Sequence, residues 1–442
     1  MFFGTDGIRG IVDKGIDSQL SYNIGKGIGI YCSENNIKNV LIGKDTRNSS
    51  DLIMYALITG IIDYGVNVTI IGIVPTPVIS FIVEKQNFGM GIMITASHND
   101  ASYNGIKIFD SNGFKLSKNI EDIIEKKGFL SSLHKSTHKG HVRYDITLRE
   151  QYINFLYEKF STIKNRDIKV VVDCANGANY LIAPITYESL GIEVVRIASE
   201  NNGDHINDNC GAEHIENLVN AVQKNGANLG IAFDGDGDRI RIVLNDGRVL
   251  TGDDLIYLFA LYMKDTMKTN NMNIVGTIMT NEGLVESLKK KNINVLRSDV
   301  GDKNVIKVLK ENKLSLGGEP SGHICLLEFN HSCDALLSSL LFLEIYFKCG
   351  LGFIEQINDI NYYFSLIKNI NIDSKLREDF DNNICIKKYL LELKNQYENC
   401  RIVLRPSGTE PVIRLYVESN SKSDCNKIAQ KVLNFINNII DT

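Results

Sequence analysis

Short apolar runs alternate with segments of helical spacing from residue 18 to residue 311, and that alternation confines the chain to α/β architectures. Leu20, Ile24, Ile28 and Tyr31 share one helical face over 18–31, and 39–42 reads as a strand. The polar stretch 45–50 is a loop able to cap a helix over 51–64, followed by a strand at 66–73. Pro75 and Pro77 open another helix, and the run Gly91-Ile92-Met93-Ile94 is a short buried strand. A second unit begins near Arg149, with strands at 169–173, 193–197 and 230–233. A third opens at 248–253 and continues through a strand at 274–278 and helices at 283–291 and 305–311. From about 361 the pattern changes: strands at 400–404 and 412–418 lie between a helix reaching 397 and one at 424–440.

A length of 442 residues calls for more than one core. The net charge of −5 disfavours nucleic acid and anionic membranes, so an anionic substrate would need local Arg and Lys. The most apolar helix candidate, 335–347, is interrupted by Ser338, Ser339 and Glu344 and is too short to cross a bilayer. The start has no basic stretch followed by an apolar one, so a soluble, cytoplasmic protein is expected. Nine cysteines without a C-x-x-C pair argue against a disulfide framework or a zinc ribbon. The basic segment 134–143 reads as a linker. His134, His138 and His141 have metal-ligand spacing there, but Gly140 and its polar neighbours suggest an exposed loop.

Five polar loops carry candidate chemistry. The strand at 91–94 ends in Thr95-Ala96-Ser97-His98-Asn99, which places the Ser97 hydroxyl on a rigid support as a nucleophile or phosphate carrier. No G-x-S-x-G elbow surrounds it, and no G-x-x-x-x-G-K-[ST] loop is present. Asp234-Gly235-Asp236-Gly237-Asp238-Arg239 lies between two apolar strands, and carboxylates so close repel one another unless a cation neutralises them. An EF-hand would need Gly and Glu where Arg239 and Asn245 stand; hard oxygen donors on a tight loop suit Mg²⁺. Arg405-Pro406-Ser407-Gly408-Thr409-Glu410-Pro411, with Arg414 beyond, offers main-chain N–H groups, hydroxyls and guanidinium to an anion, although a Pro/Gly turn fits it equally. In an extended segment Glu319, Ser321 and His323 would project from one face and suit sugar hydroxyls; a simple turn is the alternative. At the start, Gly4-Thr5-Asp6-Gly7-Ile8-Arg9-Gly10 permits close approach to Arg9.

These loops, in this order, resemble the α-D-phosphohexomutase superfamily. So do Asp173-Cys174-Ala175-Asn176-Gly177-Ala178, Cys210-Gly211 and Gly301-Asp302, and the opening 3–10 is similar to the amino-sugar branch rather than the phosphomannomutase/phosphoglucomutase branch. The resemblance implies three related mixed-sheet α/β domains plus a smaller C-terminal α+β domain around a central cleft, here 1–148, 149–246, 247–360 and 361–442. It implies an isomerase converting glucosamine 6-phosphate to glucosamine 1-phosphate through a phosphoserine and a 1,6-bisphosphate, in amino-sugar metabolism that supplies UDP-N-acetylglucosamine and cell-wall synthesis. Ser97 would be the phosphoserine, with Mg²⁺ between its phosphate and Asp234, Asp236 and Asp238. Arg9, His98 and Lys107 would line the transfer site; Arg239, Glu319, Ser321 and His323 would hold the sugar. Arg405, Ser407, Gly408, Thr409 and Arg414 would hold the distal phosphate. Glucosamine or glucose 1,6-bisphosphate would be the activator. The expected partner is a small-molecule sugar phosphate, with no nucleic acid and no membrane, and with a homodimer allowed. A phosphomannomutase/phosphoglucomutase and a non-catalytic sugar-phosphate-binding protein are the alternatives.

The sequence departs from the family pattern at several places. Asp100 stands where Pro usually follows Ser-His-Asn, adding a negative charge beside the phosphate. Pro320 lies in the sugar loop, Glu213 replaces a usual Thr, Lys303-Asn304 replace Arg-Tyr, and 330–335 lacks a Gly-rich stretch. None removes an expected catalytic residue.

Overall fold

The computed structural model describes residues 2–4, 6–130, 135–371, 383–397, 399–406 and 412–440. The first sheet is built from β1 (Phe3–Gly4), β2 (Gly7–Ile11), β3 (Asn39–Lys44), β4 (Asn67–Ile73), β5 (Met90–Ile94), β6 (Tyr103–Asp110) and β7 (Val142–Tyr144). Its order is β1-β2-β6-β5-β3-β4-β7. β3, β4, β5 and β7 run parallel, β6 lies antiparallel beside β5, and β2 in turn lies antiparallel beside β6. The segment expected to be a linker thus contributes an edge strand, because residues 142–144 pair in register with Val68, Thr69 and Ile70. Helices Ser18–Glu34, Ser50–Ile62 and Lys118–Leu130 cover one face of this sheet through a core that includes Ile24, Leu57 and Ile124.

The second sheet, β8 (Lys169–Asp173), β9 (Glu193–Ile197), β10 (Leu229–Phe233), β11 (Ile240–Leu244) and β12 (Val249–Leu250), has the order β12-β11-β10-β8-β9. Residues 249–250, expected at the opening of the third unit, pair with β11 and close this second sheet instead. The third sheet is β13 (Met272–Thr277), β14 (Ile293–Ser298), β15 (Leu316–Gly318) and β16 (Ile324–Leu326), ordered β14-β13-β15-β16. The fourth, β17 (Phe364–Asn371), β18 (Cys400–Pro406) and β19 (Val412–Ser419), is antiparallel throughout and packs against helices Ile384–Gln396 and Lys422–Ile440. Three mixed-sheet α/β domains and a C-terminal α+β domain are the result.

Burial explains how the first three domains are joined. One apolar cluster runs from Phe81 through Tyr152 and Tyr187 to Leu258 and Leu340, so these domains share a core. Helix Ala335–Cys349 is buried from Ala335 to Ile345, too apolar to survive outside that core. Its N-cap, Asp334, accepts from Leu337 N at 3.0 Å, Tyr152 Oη at 2.8 Å and Asn330 Nδ2 at 2.9 Å; Asn330 Nδ2 also donates to Pro77 O at 3.0 Å. One polar knot therefore ties residues of three domains. Cys325 of β16 and Cys333 form one disulfide beside it and are also paired by an isolated bridge; the other cysteines are free, so no disulfide framework is present among the described residues.

The fourth domain has its own apolar core and meets the third through polar groups. Arg401 Nη2 donates to Thr280 O at 2.8 Å, and Glu418, fully buried, accepts from Glu282 N at 2.7 Å. Asp253 lies at the same joint: Oδ2 accepts from Asn281 N at 3.1 Å, and Oδ1 has no partner among the described residues. Burial, aided by the nearby charges of Asp254 and Glu418, pushes its carboxyl up to about 7. The neutral form is thus the stabilising one. Its contribution is complete below about pH 4 and is lost as pH rises through about 7. Urea unfolding should show stability falling across that interval, and Asp253→Asn should flatten this part of the profile; an unaltered slope in the variant would remove Asp253 as its source.

Candidate active site

β5 is buried at every position and delivers Ser97 at its end, where φ is +53°. A left-handed backbone is unfavourable for Ser by about 1–2 kcal/mol, so the surroundings must impose it. They do so through the loop's carbonyls. Arg47, 1% exposed, donates from Nη2 to Ser97 O at 3.1 Å and Asn99 O at 2.6 Å, and from Nη1 to Tyr103 O at 2.9 Å and to Asp100 O. Asp45 orients this guanidinium by accepting from Arg47 Nε at 2.9 Å. The 45–50 loop thus anchors a side chain; its Ser49 makes no side-chain cap to the following helix. From the second domain, Asn207 Nδ2 donates to Ser97 O at 2.9 Å and to Asn99 O at 2.8 Å. Thr95 Oγ1 accepts from Ser97 N at 2.9 Å. Gly235 is required beside this loop, since a Cβ there would stand 2.6 Å from Ser97 O. The Asp100 carboxylate is exposed and accepts from Ser102 N at 2.8 Å, which turns its charge onto its own loop.

This framing leaves Ser97 Oγ donating to Asp234 Oδ2 at 2.8 Å. Asp234, Asp236 and Asp238 follow β10, are at most 1% exposed, and offer oxygens within 4.8 Å of one another. They are the one such group of potential metal ligands among the described residues. His134 lies outside those residues, and His138 and His141 are exposed. Asp234 Oδ1 accepts from the N–H groups of Asp238 and Arg239 at 3.1 Å, which curls the loop around it. Lys107 Nζ reaches Asp236 at 2.7 Å, Asp238 at 3.0 Å and Asp6 at 3.1 Å. Its ammonium, expected to line the transfer site, is committed to carboxylates; burial opposes the charge, but those neighbours raise its pKa well above the ordinary value. Burial and the charges of Asp238 and Asp236 push Asp234 well above the carboxylate range. Asp238 lies well below it, because Lys107 and His323 outweigh its burial. Asp236 Oδ1 remains buried, with no partner among the described residues. Hard oxygen donors converging on a tight loop and an orphaned buried oxygen fit a divalent cation.

Glu319, Ser321 and His323 lie on a turn between β15 and β16, closed by Gly322 N donating to Glu319 O at 3.0 Å; the extended segment first expected does not form. The turn still gathers them. Ser321 Oγ lies 3.4 Å and Glu319 Oε1 3.8 Å from His323 Nδ1, and Glu319 Oε1 accepts from Gly301 N at 2.9 Å. His323 Nε2 is 3.0 Å from Asp238 Oδ1 and 3.2 Å from Arg239 Nε, and one nitrogen cannot donate to the first while accepting from the second. Burial alone would lower this imidazole, but Asp238 outweighs it and raises it to about 10, so His323 is the donor to Asp238. Arg239 also pairs with Glu213, and Arg241 Nη1 donates to Pro320 O at 2.9 Å. Arg9 Nη1 donates to Asn99 Oδ1 at 3.0 Å, beside the serine. Half-buried His98 has an Nδ1 without a partner; burial, then Arg239 and Arg9, push it down to about 3, leaving it neutral.

Arg405 and Arg414 face each other across β18 and β19. Two cations so placed repel, which suits a clamp for an anion. Burial and Arg414 lower the Arg405 pKa, while Glu319 opposes the shift, so the end of this hairpin faces the Glu319 turn. Ser407, Gly408 and Thr409 lie outside the described residues. Sequence reasoning missed Arg47, Asn207 and Asp6, as well as buried Lys115, which bridges Asp6 and Asp302 Oδ2, the latter at 2.7 Å. The departures at 303 and 304 are accommodated: Lys303 Nζ pairs with Glu121 at 2.8 Å and Asn304 Nδ2 donates to Val300 O at 2.8 Å.

With a serine, an aspartate triad, the turn that carries Glu319 and His323 and a facing arginine pair contributed by four successive domains, the chain belongs to the phosphoglucomutase/phosphomannomutase family. Models of that family's α/β/α domains I, II and III match residues 1–131, 150–247 and 251–361, and its C-terminal domain matches 393–435. Within the family it falls among the phosphoglucosamine mutases, which are isomerases. It is 40% identical over 441 residues to the phosphoglucosamine mutase of Dictyoglomus thermophilum, covering 98% of this chain and 95% of the relative. It is 34% identical over 443 residues to that of Clostridioides difficile, covering 98% of each. Among solved structures, a phosphoglucomutase/phosphomannomutase family protein from Burkholderia thailandensis shares the fold with a TM-score of 0.83 at 24% identity, over 98% of this chain and 96% of that one. Aspergillus fumigatus N-acetylphosphoglucosamine mutase, in complex with GlcNAc-6P and magnesium, shares it with a TM-score of 0.73 at 17% identity, over 99% and 95%.

Proposed function

We propose that Ser97 is the phosphoryl carrier of this phosphoglucosamine mutase. The phosphoryl group on Ser97 Oγ passes to the C1 hydroxyl oxygen of glucosamine 6-phosphate; the P–Oγ bond breaks and a 1,6-bisphosphate forms. After that intermediate turns over in the cleft, Ser97 Oγ attacks the C6 phosphate and glucosamine 1-phosphate leaves. The phosphate count on the enzyme is unchanged, and glucosamine or glucose 1,6-bisphosphate primes an unphosphorylated serine. The observation that carries this assignment is the Ser97 hydroxyl, held in a left-handed loop 2.8 Å from the Asp triad.

The other residues position and neutralise, as phosphoryl transfer requires. Asp234, Asp236 and Asp238, with the Ser97 phosphate, would hold Mg²⁺, which when bound supplies positive charge to the phosphoryl oxygens. Lys107 and His323 fix the triad from below by their bonds to Asp236 and Asp238. Arg9, beside Asn99, faces the transferring phosphoryl group, with neutral His98 next to it. Glu319, Ser321 and Arg239 hold the sugar, and Arg405 and Arg414, with Ser407, Gly408 and Thr409, hold the distal phosphate.

Turnover assays test both substrate and ion. Glucosamine 6-phosphate should be used faster than mannose or glucose phosphates; if it were the poorest substrate, the assignment would fall. Chelation with EDTA should lower activity by at least about 100-fold, and Mg²⁺ should restore it. Full activity in the chelator would remove the metal role from the Asp triad.

A further inference from the structure

Glu213 places a half-exposed carboxylate beside Arg239, next to the turn that carries Glu319 and His323. The turn that carries it is pinned to the end of β10: Ala212 N donates to Phe233 O at 2.9 Å, and Gly211 takes a φ of +75°. Its Oε1 accepts from Arg239 Nη1; the second oxygen takes no hydrogen bond among the described residues, and the side chain is 37% exposed. Arg239 lies 3.2 Å from His323 of the sugar-facing turn, and Arg241 holds Pro320 of that same turn. Arg239 and Arg241 are the cations that act on Glu213, and neutral His98 of the phosphoserine loop is also near it, so it sits between that loop and the sugar turn. The two arginines outweigh its burial and keep it ionised.

The neighbouring carboxylates have other commitments. Asp236 and Asp238 hold Lys107, and Glu319 holds Gly301 N and lies beside His323. A phosphate gains nothing from an accessible carboxylate, which repels it. A hydroxyl would be served as well by a neutral acceptor. A cationic group is the ligand for which a half-exposed ionised carboxylate is the fitting partner.

We propose that Glu213 is a specificity-determining residue that pairs with the protonated 2-amino group of the hexosamine phosphate. The inference rests on the mutase activity above and adds the group by which the amino sugar is told from its 2-hydroxy counterpart. Arg239 holds one carboxylate oxygen and leaves the other for the substrate's ammonium.

Glu213→Gln keeps the shape and removes the charge, and Glu213→Asp keeps the charge. Steady-state kinetics should be measured with glucosamine 6-phosphate and glucose 6-phosphate for the wild type and both variants. Where glucose 6-phosphate turns over too slowly, its inhibition constant replaces kcat/KM. Glu213→Gln should lower the preference for the amino sugar by about tenfold or more, mostly through KM, while Glu213→Asp retains the larger part of it. A merely structural role through Arg239 would depress both substrates together. A preference ratio unchanged within about threefold in Glu213→Gln would overturn the inference and leave the mutase assignment standing. A wild type inactive on glucosamine 6-phosphate would instead overturn the assignment itself.

Discussion

Ser97→Ala should lose mutase turnover by on the order of 10⁴-fold or more, with the fold retained. Intact-mass measurement should find one phosphoryl group on the wild type primed with the bisphosphate and none on the variant. Nothing nearby can substitute: Thr95 Oγ1 is engaged with Ser97 N, and Ser102 Oγ with Asp100. Stability should change little, because the loop is held by bonds to its main chain rather than by the serine hydroxyl. Ala keeps the left-handed strain at position 97, where φ is +53°, so Ser97→Gly should be the more stable of the two inactive variants by about 1 kcal/mol. Substantial turnover in Ser97→Ala would sink the phosphoserine mechanism.

Arg47→Met should be the most damaging substitution at a residue that touches no substrate. It would strip donors from the carbonyls of Ser97, Asn99, Asp100 and Tyr103 and leave Asp45 buried without its cation. Removing one partner of a buried pair costs about 3–5 kcal/mol, visible as a lowered urea midpoint. Arg47→Lys separates stability from catalysis. Its ammonium can neutralise Asp45, yet it lacks the planar fork that spans several carbonyls, so the fold should survive better than kcat does. We expect kcat to fall at least about tenfold with KM little changed, since Ser97 would be loosely aimed while the substrate clamps are untouched. An Arg47→Lys enzyme with normal kcat would show that the guanidinium merely fills space.

Much of this architecture was legible in the residues. Periodicity located the strands at 169–173 and 193–197 without error, because each is a short apolar run bounded by polar loops. It missed residues 142–144, which are exposed and short and are a strand only because β4 lies alongside. The same limit applied to the site. Ser97 and the three aspartates announce themselves by residue type and spacing, and the structure brings them together. Arg47 and Asn207 do not, since their bonds go to carbonyls of a loop far away in the chain, which no local pattern marks. The Asp-Thr-Arg run at 45–47 was the available signal: a charged pair inside an apolar α/β unit must be buried or bound to something. Lys107 shows the converse, a residue expected at the transfer site whose partners in the structure are the carboxylates of the triad.

The division of the apolar core between the first three domains and the fourth sets how the chain comes apart. Separating the fourth domain breaks bonds at Arg401 and Glu418 and leaves its apolar cluster intact, whereas separating any of the others tears a shared interior. The protein is therefore two cooperative folding units of unequal size, with the weak plane running beside the arginine clamp. Substrate held between the arginine pair and the Glu319 turn, as proposed above, would cross that plane and act as a staple between the two units. Affinity for the distal phosphate and resistance of the C-terminal unit to local opening are one free energy seen from two sides.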